Sequence, residues 1–183
     1  MKKLVMNFLI AGAILVHLSS CKKLIAAVYG GSDVTVPEFK MTIPKIYSVS
    51  PKEIPMGSYS FYFNLDSAVK ANTGGIFGAN AVNSIKIKKI TIKIINPDAD
   101  DNLANIDSVR VTLQSATNNI PVELFNIGFP DTYANTYDYT TANSPELVNY
   151  LKGNTIIYNV YGKMRRVTNK TLSMAVDATL RAD

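Results

Sequence analysis

From residue 58 onward, apolar and polar side chains keep changing places. Tyr59, Phe61, Phe63 and Leu65 share one face, and Ser58, Ser60, Tyr62 and Asn64 take the other. Val109, Val111 and Leu113 alternate with Arg110, Thr112 and Gln114. Near the end, Leu172, Met174, Val176, Ala178 and Leu180 alternate with Ser173, Asp177, Thr179 and Arg181. A period of two cannot gather its apolar half on one side of a helix, but on a strand it makes one dry and one wet face. Further runs read as strands at Glu38–Ile43, Ser84–Ile95, Ile120–Phe125 and Thr155–Tyr161. Clusters of Pro, Gly, Asn and Asp separate them, and no repeat of 20 to 50 residues is present. The expected fold is all-β: an antiparallel β-sandwich of about seven strands with one or two short helices.

Two local features refine this. Ile85 and Ile87 stand in odd register, whereas Ile90, Ile92 and Ile94 stand in even register. A β-bulge between Lys88 and Lys89 absorbs the extra residue; otherwise the strand is buried on both sides with lysines at its ends. Lys86, Lys88, Lys89 and Lys93 then form a basic stripe. The simpler reading is an edge strand guarded by lysine; the alternative is a docking face for anionic groups. For the helices, Ser144-Pro145-Glu146 supplies an N-cap, a first-turn proline and an acid, and Lys152-Gly153 a stop. That predicts about two turns with Leu147, Val148 and Leu151 facing inward. A second short helix is expected from Asp66 to Asn72, ended by Gly74-Gly75.

The N-terminus has a different character. Lys2 and Lys3 precede an apolar stretch from Leu4 to Val16, which closes on Leu18-Ser19-Ser20-Cys21. A charged start, an apolar middle and a small-residue exit describe a secretory signal peptide, and the run is too short to span a bilayer. Leu18, Ser19 and Ser20 ahead of the chain's one cysteine resemble a bacterial lipoprotein lipobox, and the Asn/Thr/Tyr/Lys/Ile-rich body is similar in flavour to Bacteroidota proteins. The resemblance covers the N-terminus alone. It implies cleavage before Cys21, acylation of Cys21, and membrane attachment through the acyl chains, several of which hold firmly where one holds marginally. Lys22 in place of an aspartate implies sorting to the outer membrane. The lack of an acidic cluster in Lys22-Lys23-Leu24-Ile25-Ala26 favours a periplasm-facing position over the cell surface. The expected organisation is a signal peptide at 1–20, an acylated Cys and flexible tether at 21–36, and one β-sandwich domain at 37–183.

Processing would change the chemical inventory. His17 is the one histidine and lies in the signal; acylation would consume the Cys21 thiol. The mature chain, 183 residues less the 20 removed, has neither an imidazole nor a free thiol. That excludes Ser-His-Asp and Cys-His catalysis and the commonest zinc ligands. The formal charge of +5 includes Lys2 and Lys3, so the mature chain carries +3, two of them at Lys22 and Lys23. A nucleic-acid partner, which needs a clustered basic footprint, is not expected. The four glutamates, Glu38, Glu53, Glu123 and Glu146, have no evident acid partner for carboxylate-pair hydrolysis. No cofactor and no enzymatic activity are expected.

Binding candidates remain. Asp98, Asp100 and Asn102 have the i, i+2, i+4 spacing that opens a calcium loop, but Leu103 and Val109 occupy the places of its glycine and glutamate. They are weak metal candidates, and a solvated turn explains them as well. Between Asn126 and Asn143 runs a long stretch with Phe129, Tyr133, Tyr137 and Tyr139 among Thr, Asn and Asp. Such a loop either plugs the sandwich end or presents rings for recognition. Asn169-Lys170-Thr171, Asp66-Ser67-Ala68 and Asp107-Ser108-Val109 are short glycosylation-like matches with little weight. The expected function is a lipid-anchored envelope protein whose sandwich binds or scaffolds another envelope protein, with a glycan held by the tyrosine-rich loop as the alternative.

Overall fold

The structure is a computed structural model and describes residues 28–183. The expected signal peptide, the lipobox-like residues, Cys21 and the first part of the expected tether lie outside the described residues.

The alternation yields eight strands: β1 (Ser32–Ile43), β2 (Ile54–Tyr62), β3 (Ile85–Ile94), β4 (Ile106–Ser115), β5 (Val122–Gly128), β6 (Thr136–Tyr139), β7 (Thr155–Met164) and β8 (Leu172–Ala182). They form two four-stranded antiparallel sheets, in the orders β1-β8-β3-β6 and β2-β7-β4-β5. That order is a jelly roll, two interleaved Greek keys closed into a sandwich. The fold class read from the sequence is the one observed.

The core is the layer between the sheets. Ile85, Ile87, Ile90, Ile92 and Ile94 of β3 are all buried, facing Val109, Val111 and Leu113 of β4. Each fully buried side chain of this size contributes about 1.5–3 kcal/mol. The bulge lies where the phase defect put it. Ile87 pairs with Leu180 and Lys89 with Thr179, so Lys88 is the extra residue. Phe39 and Phe61 pack on the buried Tyr158 at 5.2 and 5.3 Å and close the β1–β2 side.

Four expectations change. First, β3 is an interior strand, because β6 covers Ile90–Lys93. Lys88 pairs with Asp33 of β1, reaching across β8, and Lys89 pairs with Asp138 of the neighbouring β6 at 2.9 Å. Second, β6 lies inside the stretch expected to be irregular. Third, β1 begins at Ser32, inside the segment expected as tether. β8 runs to Ala182 and needs a partner there, and Val34 and Val36 are buried in the same alternation. Fourth, the later helix, α2 (Val148–Leu151), is one turn instead of two. Ser144 does not cap it. Its hydroxyl oxygen accepts from Ile87 N at 2.7 Å, and the Glu146 carboxylate accepts from Ile85 N, Ser84 Oγ and Val148 N. These side chains take the place of a strand beside the part of β3 that β6 does not reach. The earlier helix, α1 (Leu65–Asn72), forms as expected, with Asn64 Oδ1 accepting from Ser67 N. That cap ends β2 at Tyr62 and turns Leu65 into a helical core residue.

The topology creates two unlike poles. Connections 44–53, 95–105, 129–135 and 165–171 gather at one, the loop pole. The opposite pole holds connections 63–84, 116–121 and 140–154, together with the start of β1 and the end of β8.

The bulge predicts an asymmetry between two deletions. Removing Lys88 restores regular pairing and keeps every isoleucine inward, with loss of one exposed ion pair worth about 1 kcal/mol or less. Removing Lys93 turns Ile94 out of phase, at a cost of several kcal/mol. Urea unfolding of the two variants measures this. Glu146 predicts a pH effect. Burial alone would raise its pKa, but the Ile85 and Val148 N–H groups and the Ser84 hydroxyl hold it below its ordinary 4.5. The folded state therefore gains from ionised Glu146 above that value and loses the gain as pH falls through the lower, folded-state value. Glu146→Gln should flatten this part of the urea-midpoint profile between about pH 5 and pH 3.

Candidate functional site

The loop pole is built on buried polar groups that pair with one another. In the β3–β4 connection, Asn102 Oδ1 accepts from Ala104 N and Asn105 Oδ1 accepts from Asn102 N, both at 3.0 Å, closing a 3₁₀ turn at Leu103–Asn105. Asn105 Nδ2 reaches out to donate to Asp100 O and to Val167 O of the β7–β8 connection. Buried Asp101 accepts from Asn169 N through both carboxylate oxygens, at 2.9 and 3.1 Å. Ile46 and buried Thr168 exchange two hydrogen bonds, which brings in the β1–β2 connection. Arg165 donates to Ala104 O at 3.0 Å, to Phe129 O at 2.7 Å and to Asp107 at 3.2 Å, which brings in the β5–β6 connection. All four loops are thus held in one network. Because its members are shielded from water, each missing partner would cost a full desolvation.

This network accounts for the acidic segment. Asp98 Oδ1 accepts from Asp100 N and Asp101 N, and its other oxygen pairs with Lys170, which holds the carboxyl below the usual range. Asn102 is a cap. The i, i+2, i+4 spacing therefore does not converge on a shared point. Among the described residues, no group of three or more His, Cys, Asp or Glu side chains is placed to hold a metal ion. Lys163, followed by Arg165, likewise holds Asp107 below its ordinary value.

The four aromatic candidates separate. Phe129 is buried and meets Tyr137 edge-to-face at 5.3 Å. Tyr139, half-buried on β6, leans on Phe125 at 6.5 Å. Tyr133 alone stands out, 61% exposed. The set plugs the sandwich with three rings and presents one. The glutamates face N–H groups or cations: Glu38 pairs with Lys40 at 3.2 Å, and Glu146 is the staple described above. Glu53 grips Arg110 through two donor atoms, and Arg110 stacks on Tyr161 at 4.2 Å with Glu123 nearby.

The loop pole displays apolar side chains among charged and polar ones such as Lys45, Lys52, Asp100, Asp131 and Arg166. Tyr47, Val49, Ile95, Tyr133 and Val167 are exposed there, contributed by all four connections. They are five of the nine large apolar side chains exposed among the described residues; the other four, Val28, Tyr62, Ile76 and Ile120, stand at the opposite pole. Tyr47 is 82% exposed, with Lys45 over its ring at 5.2 Å. Beside it a cleft of about 200 Å³ is lined by Ile46, Ser48, Ser50, Lys52, Ile54 and Met164. Sequence reading missed Tyr47 and the buried polar group Asp101, Asn105 and Thr168. The visible signal for Tyr47 was an aromatic between Pro44 and Pro51 in a segment with no strand pattern.

No protein-family model matches the chain, and comparison with curated proteins finds no relative. Among solved structures it is similar to the family 32 CBM from C. perfringens NanJ in complex with galactose, at 8% identity over 81% of this chain and 99% of that one, with a TM-score of 0.39. The GH31 CBM32-2 bound to GalNAc shares 14% identity over 79% of this chain and 76% of that one, with a TM-score of 0.33. A chain of infectious bursal disease virus, Gt strain, shares 9% identity over 84% of this chain, with a TM-score of 0.36; this chain spans a third of its length. At these values no ligand or activity carries over to this chain.

Asn105→Ala should unpair three backbone partners at once, Asn102 N buried and Asp100 O and Val167 O partly so, and destabilise the domain by about 2–4 kcal/mol. Urea unfolding checks the loss, and hydrogen exchange should show it concentrated in residues 98–105 and 165–170.

Proposed function

We propose that this protein is a lipid-anchored, non-enzymatic binding module of the bacterial envelope, with the loop pole as its working surface. The observation that carries the reading is the apolar display on four loops held rigid from beneath. Isolated exposed apolar residues are ordinary, but a cluster at one pole marks an interaction site. Rigid support means little conformational entropy is lost on binding. The anchor reading stands on Leu18-Ser19-Ser20-Cys21. Acylated Cys21 would hold the domain through the segment that enters β1, at the pole opposite these loops. The recognition loop then points away from the bilayer, where a partner in the periplasm can reach it. The partner is another envelope protein.

A glycan ligand is the second reading, and Tyr133 and Tyr47 favour it, since exposed rings stack on sugar faces. The two readings part in one experiment. A photo-crosslinking residue at position 133 or 47 in cells should give discrete protein adducts, and the same residue at Glu123, on the outer sheet face, should give none. Smeared polysaccharide adducts at 133 would select the glycan. Absence of adducts at both loop positions would remove the loop pole as the working surface. For the anchor, Cys21→Ser should move the protein from the membrane fraction to the soluble one.

A further inference from the structure

The pole opposite the loops carries its own exposed apolar side chains, and their placement follows the chain's exit. Val28, the first described residue, is 67% exposed. The next residue, Tyr29, turns inward and packs on Phe77 at 5.3 Å. Phe77 ends a tight tip, Thr73-Gly74-Gly75-Ile76-Phe77, in which Gly74 (φ 61°) and Gly75 (φ 81°) take backbone angles that favour glycine. Thr73 Oγ1 donates to Val69 O and accepts from Phe77 N. With Phe77 seated inward, Ile76 is driven outward, 77% exposed, beside the point where the chain leaves the domain. Ile120 (71%) and Tyr62 (66%) stand at the same pole. Tyr62 pairs with Thr155, whose carbonyl accepts from Ala116 N at the start of the connection that carries Ile120. Between the tips lies a polar cleft of about 370 Å³ with Asn64, Asp66, Asn80, Lys152 and Asn154 on its walls.

We propose that this pole is a membrane-contact face: Val28, Ile76 and Ile120 enter the interface of the bilayer that holds the acyl chains, with Tyr62 and Lys152 at headgroup level. The proposal rests on the anchor reading, and geometry selects the bilayer over other occupants. Six residues lie between Cys21 and Val28, and the seven steps from one to the other span about 25 Å at most. β1 alone, with 12 residues, is about 35–40 Å long. A domain standing on its loop pole would lift Val28 beyond the reach of that tether, so an upright domain can only stand on this pole. Apolar tips beside a lysine match an interface of acyl chains and anionic headgroups.

The chain contains no tryptophan, so a single introduced one reports its own surroundings. Ile76→Trp, Ile120→Trp and Tyr133→Trp variants of the lipidated protein would be reconstituted into vesicles of phosphatidylethanolamine and phosphatidylglycerol with brominated acyl chains. Flotation of the protein with the vesicles tests the anchor separately. The expected result is flotation of all three, with blue-shifted, bromine-quenched emission at 76 and 120 and water-like emission at 133. Flotation with all three reporters unquenched keeps the anchor and overturns the contact face. A blue shift at 76 without quenching places a protein there, a second copy included, and also overturns it. Failure to float overturns the anchor and the face together.

Discussion

Each strand of a sandwich must offer one face to the opposite sheet, and β3 meets that condition only by carrying a residue too many. Lys88 is that residue. It keeps five isoleucines inward across a change of phase, and it lets two consecutive lysines point out. Those lysines reach Asp33 on β1 and Asp138 on β6, so the device that keeps the core dry also links strands across the sheet. The ion pairs are exposed and individually weak. Burial of the isoleucine layer is the larger effect.

From the jelly-roll order follows the division of labour between the poles. Four connections meet at one pole and are cross-tied by Asp101, Asn105, Arg165 and Thr168. Both ends of the described chain meet at the other, with two short helices packed beside them. The cross-tied loops are therefore the pole farthest from the point where the chain enters β1. Local caps shape both poles: Asn102 and Asn105 at one, Asn64 and Glu146 at the other.

Seven of the eight strands were legible as alternation, because one wet and one dry face is a property of the residues themselves. The bulge was legible for the same reason. β6 was not. Thr136-Tyr137-Asp138-Tyr139 is too short to establish a period, and it becomes a strand only because β3 offers it an edge. The lysine stripe was misread as an edge guard since neighbours in a sheet are set by the whole chain. The second turn of α2 was lost because Ser144 and Glu146, good helix starters, found better use on the backbone of β3. In the candidate site, Asp98, Asp101 and Asn102 act as caps and ties, which their spacing in the sequence does not reveal. Whether a polar side chain points to solvent or to a buried N–H is decided by contacts some 60 residues away, such as Asn105 to Val167.

The proposed anchoring requires covalent attachment of acyl chains at Cys21. Intact-mass measurement of the protein extracted from the membrane tests it directly. The expected species begins at Cys21 and carries the added mass of several acyl chains. A chain that retains Met1, or that begins at Cys21 with no added mass, would contradict it.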